Sequence, residues 1–145
     1  MNDRLKALYK TQILAHAKSP FNEGVLDDYT HKLQAYNPVC GDQFDLYLKF
    51  EDDIIQKTSF KGYGCAISKA STSVLTKQLL GKNKLEAKAL IELFLKVIDP
   101  ENSESPESIT SDEEILAFAS AREFPERLTC ANLAWGKLRE VLEEE

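Results

Sequence analysis

Cysteine is scarce in this sequence. Only three of its 145 residues are cysteines, namely Cys40, Cys65 and Cys130. An odd set of three does not suit a disulfide framework, and the N-terminal residues lack the apolar segment of a secretory signal. We therefore expect a cytoplasmic protein. In that compartment thiols stay reduced, and such a set is more typical of metal binding or reactive chemistry.

Long apolar runs and an excess of basic residues are also absent. No run approaches the roughly 18 apolar residues of a membrane span, so no membrane segment is predicted. Lys and Arg number 18 against 24 Asp and Glu, and the net charge of −6 argues against nucleic acid or an anionic membrane as a general partner. The length suits one domain over residues 1–145, with a Glu/Ser/Pro-rich insertion near 99–111.

Hydrophobic spacing predicts helices and a hairpin. A first helix is expected over residues 3–17, with one polar residue on its apolar face; the face consists of Leu5, Leu8, Tyr9, Gln12 and Ile13. Alternation over 44–50 and a second run over 54–63 predict a β-hairpin. The stretch 21–36 is polar and shows no clean period, so no element is predicted there.

The second half of the chain is expected to be mostly helical. Helices are predicted over 66–80, after an Asn83 cap, and after a capping box at 111–114. The last helix should begin near Arg127, with Cys130 in its first turn and on its apolar face. The fold class is therefore α+β, an antiparallel β-sheet packed against helices.

Each cysteine lies beside a turn signal or a predicted helix start. Asp42 follows Cys40 at a distance of two residues, and two residues at this spacing in an extended segment point to the same face. Three thiolates and this carboxylate would make a four-ligand set for a tetrahedral soft or borderline metal. Gaps of 24 and 64 residues separate the cysteines, so any convergence must come from the tertiary fold.

Simpler interpretations exist for these residues. Cys130 on an apolar face could be a small core residue, and the Gly-x-Gly-Cys pattern before Cys65 is weak by itself. His16 and His31 fall in no ligand spacing and are expected to be structural. The serines of the 66–80 helix have no recognisable base or oxyanion motif, which argues against serine hydrolysis.

Three motifs together resemble those of the U-type iron–sulfur cluster assembly proteins, which comprise IscU, the N-terminal domain of NifU and SufU. They are Asn-Pro-Val-Cys-Gly-Asp at 37–42, Gly-Tyr-Gly-Cys-Ala-Ile-Ser-Lys-Ala-Ser at 62–71 and Arg-Leu-Thr-Cys at 127–130. Two departures from IscU resemble SufU instead. Thr129 stands where IscU has a histidine, and extra residues lie around 99–111.

The resemblance implies a SufE/NifU-like fold and a zinc ion held by Cys40, Asp42, Cys65 and Cys130. It further implies that Cys40 accepts persulfide sulfur from a cysteine desulfurase of the SufS type, with Arg127 close to the site. The protein would then be a zinc-dependent sulfurtransferase that acts with the desulfurase rather than as a stand-alone enzyme. Two alternatives stay open: a scaffold that builds an iron–sulfur cluster at the same site for downstream acceptors, and a structural zinc domain that only binds a partner.

Overall fold

The computed structural model describes residues 2–39 and 41–144 and contains a three-stranded antiparallel sheet. The strands are β1 (His31–Asn37), β2 (Asp42–Glu51) and β3 (Ile54–Tyr63), in the order β1-β2-β3. Helices pack against this sheet, which confirms the predicted α+β class.

Helices make up most of the remaining chain. They are α1 (Asp3–Leu8), a π-helical segment (Tyr9–Ile13), α2 (Leu14–Lys18), α3 (Ala66–Leu79), α4 (Lys84–Ile98), α5 (Pro106–Ile109), α6 (Glu113–Leu116), a 3₁₀ turn (Ala119–Arg122) and α7 (Pro125–Glu143). The predicted Asn83 cap is confirmed, because its side chain accepts the Glu86 N–H while the Glu86 carboxylate accepts the Asn83 N–H. Within the described residues, no helix is both long enough and apolar enough to cross a membrane.

Strand β1 lies in the stretch for which no element was predicted. Its burial alternates, with Leu33, Ala35 and Asn37 buried and their neighbours facing outward. Of these three inward residues only one is a large apolar side chain. The alternation was therefore too weak to detect from hydrophobicity, although the strand pairs with β2 from His31 to Asn37.

The core lies between one face of the sheet and the long helices α3, α4 and α7. Trp135 of α7 is fully buried and stacks on Phe94 of α4, with ring centroids 3.9 Å apart. From the sheet, Phe44 and Phe60 meet edge to face at 5.9 Å. Ring pairs of this kind add to the free energy of burial, so the first pair stabilises the packing of α7 on α4 and the second the pairing of β2 with β3.

The first helix is not a uniform α-helix. Its buried residues are Leu5, Leu8, Ile13 and His16, and the five-residue step from Leu8 to Ile13 spans the π-helical segment. A regular α-helix would repeat its buried face every three or four residues. The extra residue explains why Gln12, the polar residue in the predicted face, is not fully buried.

Two helix starts differ from the sequence prediction. The cap of α6 is Asp112, whose carboxylate accepts the Ile115 N–H at 3.0 Å. Helix α7 begins at Pro125, two residues before Arg127, because proline is well tolerated in a first turn. Cys130 is therefore in the second turn, beyond the unpaired N–H groups of the helix end.

Candidate metal centre

The start of β2 and the end of β3 meet at one end of the sheet. The strands are antiparallel, and Gln43 pairs with Tyr63, so Asp42 lies beside the turn that leads into α3. The Oδ1 atom of buried Asp42 accepts the backbone N–H of Cys65 at 3.1 Å. This bond joins two of the predicted ligands directly.

Two glycines allow that close approach. A Cβ atom on Gly62 would lie 2.1 Å from the carbonyl oxygen of Gln43, so no side chain fits there without separating β2 and β3. A Cβ on Gly64 would lie 2.6 Å from Ser68 Oγ and 2.9 Å from Asp42 Oδ1. Gly62 is thus required by the close pairing of β2 and β3, and Gly64 by the contact of the turn with Asp42 and Ser68.

The Cys65 side chain caps α3. Its Sγ accepts the backbone N–H of Ser68 at 3.4 Å, and the Ser68 hydroxyl lies 3.5 Å from the same sulfur. The positive end of the 14-residue helix points at this exposed sulfur. The Ser68 hydroxyl donates its own hydrogen to the Cys65 carbonyl at 3.1 Å, so the Ser68 N–H and the helix end are the groups that favour negative charge on Sγ, as a metal-binding or nucleophilic thiolate needs.

Cys130 reaches the same place because α7 packs along α3. The Ser71 hydroxyl donates to the Ala131 carbonyl at 2.6 Å, and the Trp135 indole N–H donates to the Ser71 carbonyl at 3.1 Å. The buried stripe of α7 consists of Ala131, Ala134, Trp135, Leu138 and Leu142. Cys130 is only half-buried, at the edge of this stripe, so it is not the core residue of the simpler interpretation.

The ligand atoms of Asp42, Cys65 and Cys130 all lie within 4.8 Å of one another. Ligands of a tetrahedral zinc, at bond lengths of about 2.0–2.3 Å, lie about 3–4 Å apart, so small side-chain rotations bring the three into range. One carboxylate and two sulfurs are also donors that zinc accepts. Cys40, the fourth predicted ligand and the predicted sulfur acceptor, lies outside the described residues.

Arg127 lies on the same helix face as Cys130, three residues earlier. Its guanidinium is placed over two aromatic rings, 4.2 Å from the ring centroid of Phe124 and 4.8 Å from that of Tyr9. The guanidinium of the predicted supporting residue thus lies over two aromatic rings, and its place close to the metal centre stays a prediction. Sequence reasoning did not identify Tyr9, although its ring reaches this cluster from the first helix.

Exposed apolar side chains lie in the elements that carry the site residues or flank them. Tyr36, Val39 and Tyr63 are more than half exposed, and Phe124 is 38% exposed. They come from the ends of β1 and β3, the loop before Asp42 and the start of α7. Exposed apolar residues of this size are typical of a surface that contacts another protein.

His16 belongs to a buried network that joins α2, α3 and α6. Ser73 Oγ accepts the Phe21 N–H at 2.7 Å, so its hydrogen is directed to His16 Nδ1, also at 2.7 Å. That leaves His16 Nε2 to donate to Glu114 at 2.6 Å. A base therefore does lie beside one serine, which the sequence did not reveal. Ser73 is fully buried, so no substrate reaches its hydroxyl.

Comparisons with known proteins identify the family of the chain. The NifU-like N-terminal domain family matches residues 8–131. The chain is 36% identical to the iron–sulfur cluster assembly scaffold protein IscU of Streptococcus pyogenes, over 96% of this chain and 85% of that protein. It is 35% identical to the zinc-dependent sulfurtransferase SufU of Bacillus subtilis, over 99% of this chain and 95% of that protein.

A solved structure supports the same assignment. The crystal structure of a putative iron–sulfur cluster assembly scaffold protein for the SUF system, from Fervidobacterium islandicum, is 29% identical and superimposes with a TM-score of 0.78. The alignment covers 94% of this chain and 97% of the other. The family match, the sequence identities and the shared fold agree, and the chain belongs to the NifU-like N-terminal domain family.

Proposed function

We propose that this protein is a zinc-dependent sulfur acceptor in iron–sulfur cluster assembly, which takes persulfide sulfur from a cysteine desulfurase of the SufS type. The observation that carries the proposal is the convergence of Asp42, Cys65 and Cys130 within 4.8 Å, at the end of the sheet where the Cys40 motif lies. Thr129, in place of the histidine of IscU, favours this activity over a scaffold. One relative, at 35% identity, is a zinc-dependent sulfurtransferase.

The proposed ligands are Cys40, Asp42, Cys65 and Cys130. A bound zinc ion would keep the thiols deprotonated and ordered. The described residues supply a preformed frame for it, because Cys65 is fixed by the start of α3 and Cys130 by the packing of α7 on α3. Asp42 is buried and adds a carboxylate oxygen to the sulfur ligands.

Cys40 is the proposed acceptor. Its thiolate would attack the terminal sulfur of the desulfurase persulfide and form a new S–S bond. The S–S bond on the desulfurase breaks, its cysteine leaves as a thiolate, and the transferred sulfur keeps its hydrogen. The exchange is balanced without an oxidant or a reductant. Cys40 suits this role because helix starts and helix packing hold the other two cysteines.

The test is sulfur transfer from a desulfurase. The purified protein is incubated with a SufS-type desulfurase and cysteine, alanine release is followed, and the peptides are examined by mass spectrometry. We expect faster alanine release and one added sulfur on the Cys40 peptide. Cys40→Ser is the matched control and should abolish both effects. Added sulfur on the Cys130 peptide, with Cys40→Ser still active, would refute the assignment.

The scaffold function is the second candidate, since the 36% identical Streptococcus relative is a scaffold protein. The same thiolates and carboxylate could hold a two-iron cluster. Incubation with ferrous iron, desulfurase and cysteine distinguishes the two functions. A stable visible spectrum of an iron–sulfur cluster on the isolated protein, with the cluster passed to an apo acceptor, would favour the scaffold.

A further inference from the structure

Arg127 is held between two aromatic side chains that come from different parts of the chain. Phe124 is the N-cap residue of α7, and Tyr9 is the first residue of the π-helical segment. The guanidinium carbon lies 4.2 Å and 4.8 Å from the two ring centroids. Both distances are well inside the roughly 6 Å range of a cation–π interaction. We call these three residues the arginine clamp.

The π-helical segment sets the place of Tyr9. The five-residue step between buried Leu8 and Ile13 keeps both residues in the core and leaves Tyr9 half-buried beside α7. The Thr11 hydroxyl donates to the Ala7 carbonyl at 3.0 Å inside this irregular turn. Single π-helical turns within α-helices often occur at functional sites, where they redirect a side chain.

The clamp restricts the guanidinium without neutralising it. A free arginine side chain loses rotamer entropy when it binds a ligand, and two ring contacts reduce its freedom before any ligand arrives. Ring contacts occupy the faces of a guanidinium, whereas its N–H donors point outward in its plane. The charge is therefore held on the helix face that also carries Cys130, three residues further along α7, with donors available to an anion.

We propose that Tyr9 and Phe124 are positioning residues, which hold the Arg127 guanidinium so that its N–H groups meet anionic sulfur at the metal centre. The anion is a thiolate of the site or the persulfide formed there. This inference rests on the proposed sulfur transfer only for its catalytic consequence. The position of the charge can be tested without a desulfurase.

The position of the Arg127 charge relative to the thiols is tested by alkylation of the cysteines in the full-length protein as purified. Anionic iodoacetate and neutral iodoacetamide react with the same thiolate, so the ratio of their rates reports nearby positive charge. Rates are measured by mass spectrometry on the Cys65 and Cys130 peptides. Arg127→Ala should lower the iodoacetate-to-iodoacetamide ratio about two- to fivefold, as expected for one charge at short range in a solvated site.

Variants of the clamp separate positioning from mere stability. Tyr9→Leu and Phe124→Leu should each lower the ratio as Arg127→Ala does, whereas Tyr9→Phe should leave it unchanged because the ring face is kept. The control is Tyr29→Leu, which removes a half-exposed tyrosine that contacts Tyr47 instead. An unchanged ratio in Tyr9→Leu or in Arg127→Ala would overturn the proposal, since the clamp would not direct charge to the thiols.

Desulfurase stimulation then tests the consequence for transfer. Tyr9→Leu should lower the maximal rate of the stimulated desulfurase, with a smaller change in the concentration of this protein that gives half of that rate. In an Arg127→Ala background, Tyr9→Leu should have no further effect. Additive losses in the double variant would overturn a role of Tyr9 through Arg127. If the unmodified protein does not stimulate any desulfurase, the proposed function fails instead, and the alkylation ratios still decide where the charge lies.

Discussion

Asp42 and Cys65 are joined by a hydrogen bond of 3.1 Å, in which the carboxylate oxygen Oδ1 accepts the backbone N–H of the cysteine. The bond connects the first residue of β2 to the N-cap of α3. A carboxylate has two oxygens, so Asp42 can hold the turn through one and offer the other to a metal. Its structural role and its proposed ligand role can therefore be separated by mutation.

Asp42→Asn should keep the turn and weaken zinc binding. Asparagine retains an acceptor oxygen for the Cys65 N–H but carries no charge for a metal. We expect zinc affinity to fall by at least the 10–100-fold typical of losing an outer-shell partner. The measurement is competition with a chromophoric chelator. Asp42→Ala is the comparison and should also lower the melting temperature of the metal-free protein. Zinc affinity unchanged in Asp42→Asn would count against the carboxylate as a ligand.

Gly64→Ala should damage both stability and the metal centre. The new Cβ would lie 2.6 Å from Ser68 Oγ and 2.9 Å from Asp42 Oδ1, so the turn or the carboxylate must move. Overpacking of this kind costs about 1–3 kcal/mol of unfolding free energy.

Urea unfolding and zinc titration together check the Gly64 prediction. Gly81→Ala is the control, because Gly81 has a positive φ of 82° but no atom lies within 4 Å of the position that a Cβ would take there. It should lower stability through backbone strain and leave zinc affinity unchanged. Equal effects of the two variants on zinc affinity would show that the crowding at Gly64 does not matter for the site.

Removing zinc should lower the melting temperature. The ion would connect the start of β2, the start of α3 and the second turn of α7, and binding to the native state alone adds stability. The melt is recorded before and after treatment with a strong chelator, with metal loss confirmed by elemental analysis. Restoring zinc should restore the melt, and an unchanged melt after confirmed metal loss would contradict the prediction.

His16→Ala should destabilise the fold without affecting zinc. It removes the contacts to Ser73 and Glu114 at a cost of about 1–3 kcal/mol, although Glu114 keeps Lys77 and Ser73 keeps the Phe21 N–H. Urea unfolding at neutral pH gives the change in free energy. A loss of zinc affinity matching that of Asp42→Ala would show that the network also shapes the metal centre.

The same network predicts a response to acid. Burial tends to raise the pKa of Glu114, but hydrogen bonds from Lys77 and His16 outweigh it and hold the pKa below its usual 4.5. A lowered folded pKa means that Glu114 stabilises the fold above pH 4.5 and loses this effect as the pH falls through the folded value. The difference in unfolding free energy between wild type and Glu114→Gln should therefore be present at pH 7 and shrink in acid. A difference that is constant with pH would contradict this.

Asp28→Asn should lower stability in a manner that depends on salt. Lys49 and Lys57 lie opposite each other in β2 and β3, and the Asp28 carboxylate contacts both, at 2.9 and 3.0 Å. These hydrogen bonds, first from Lys49 and then from Lys57, lower the pKa of Asp28 to about 2. The stabilising effect is present above pH 3.8 and is lost as the pH falls toward 2.

Thermal melts at low and high salt check the Asp28 prediction. The ion pairs of Asp28 with Lys49 and Lys57 are at the surface, so the decrease in melting temperature should be small at low salt. It should vanish near 1 M salt, where the screening length is about 3 Å. Asp27→Asn is a matched control that changes the neighbouring charge. A decrease of equal size at both salt concentrations would exclude an electrostatic origin.

The sequence predicted the members of the site better than their arrangement. Asp42, Cys65 and Cys130 converge as the motifs indicated, but their convergence depends on the antiparallel pairing of β2 with β3 and on the packing of α7 against α3. Both are tertiary contacts that local periodicity does not encode. Strand β1 was missed because Ala35 and Asn37 are weak signals of an inward face.

The arginine clamp was missed for a related reason. Arg127 was predicted from its motif, but its aromatic partner Tyr9 is 118 positions away in the chain. The polar residue Gln12 in the predicted apolar face was the available signal, since it marks the place where the helix departs from regular spacing. If Gln12 is interpreted as a break in the regular helical spacing, it indicates the π-helical segment.

That segment amounts to a single inserted residue. Suppose that one residue between positions 9 and 12 were deleted. The spacings between the four buried residues would then be three, four and three; these residues are Leu5, Leu8, Ile13 and His16. An ordinary α-helix presents residues at these spacings on one face. A chain shortened in this way would keep every buried position of its first helix. It would lose the present placement of Tyr9 beside α7. Core packing is therefore possible with or without the inserted residue, which matters only for the surface that Tyr9 forms with Arg127.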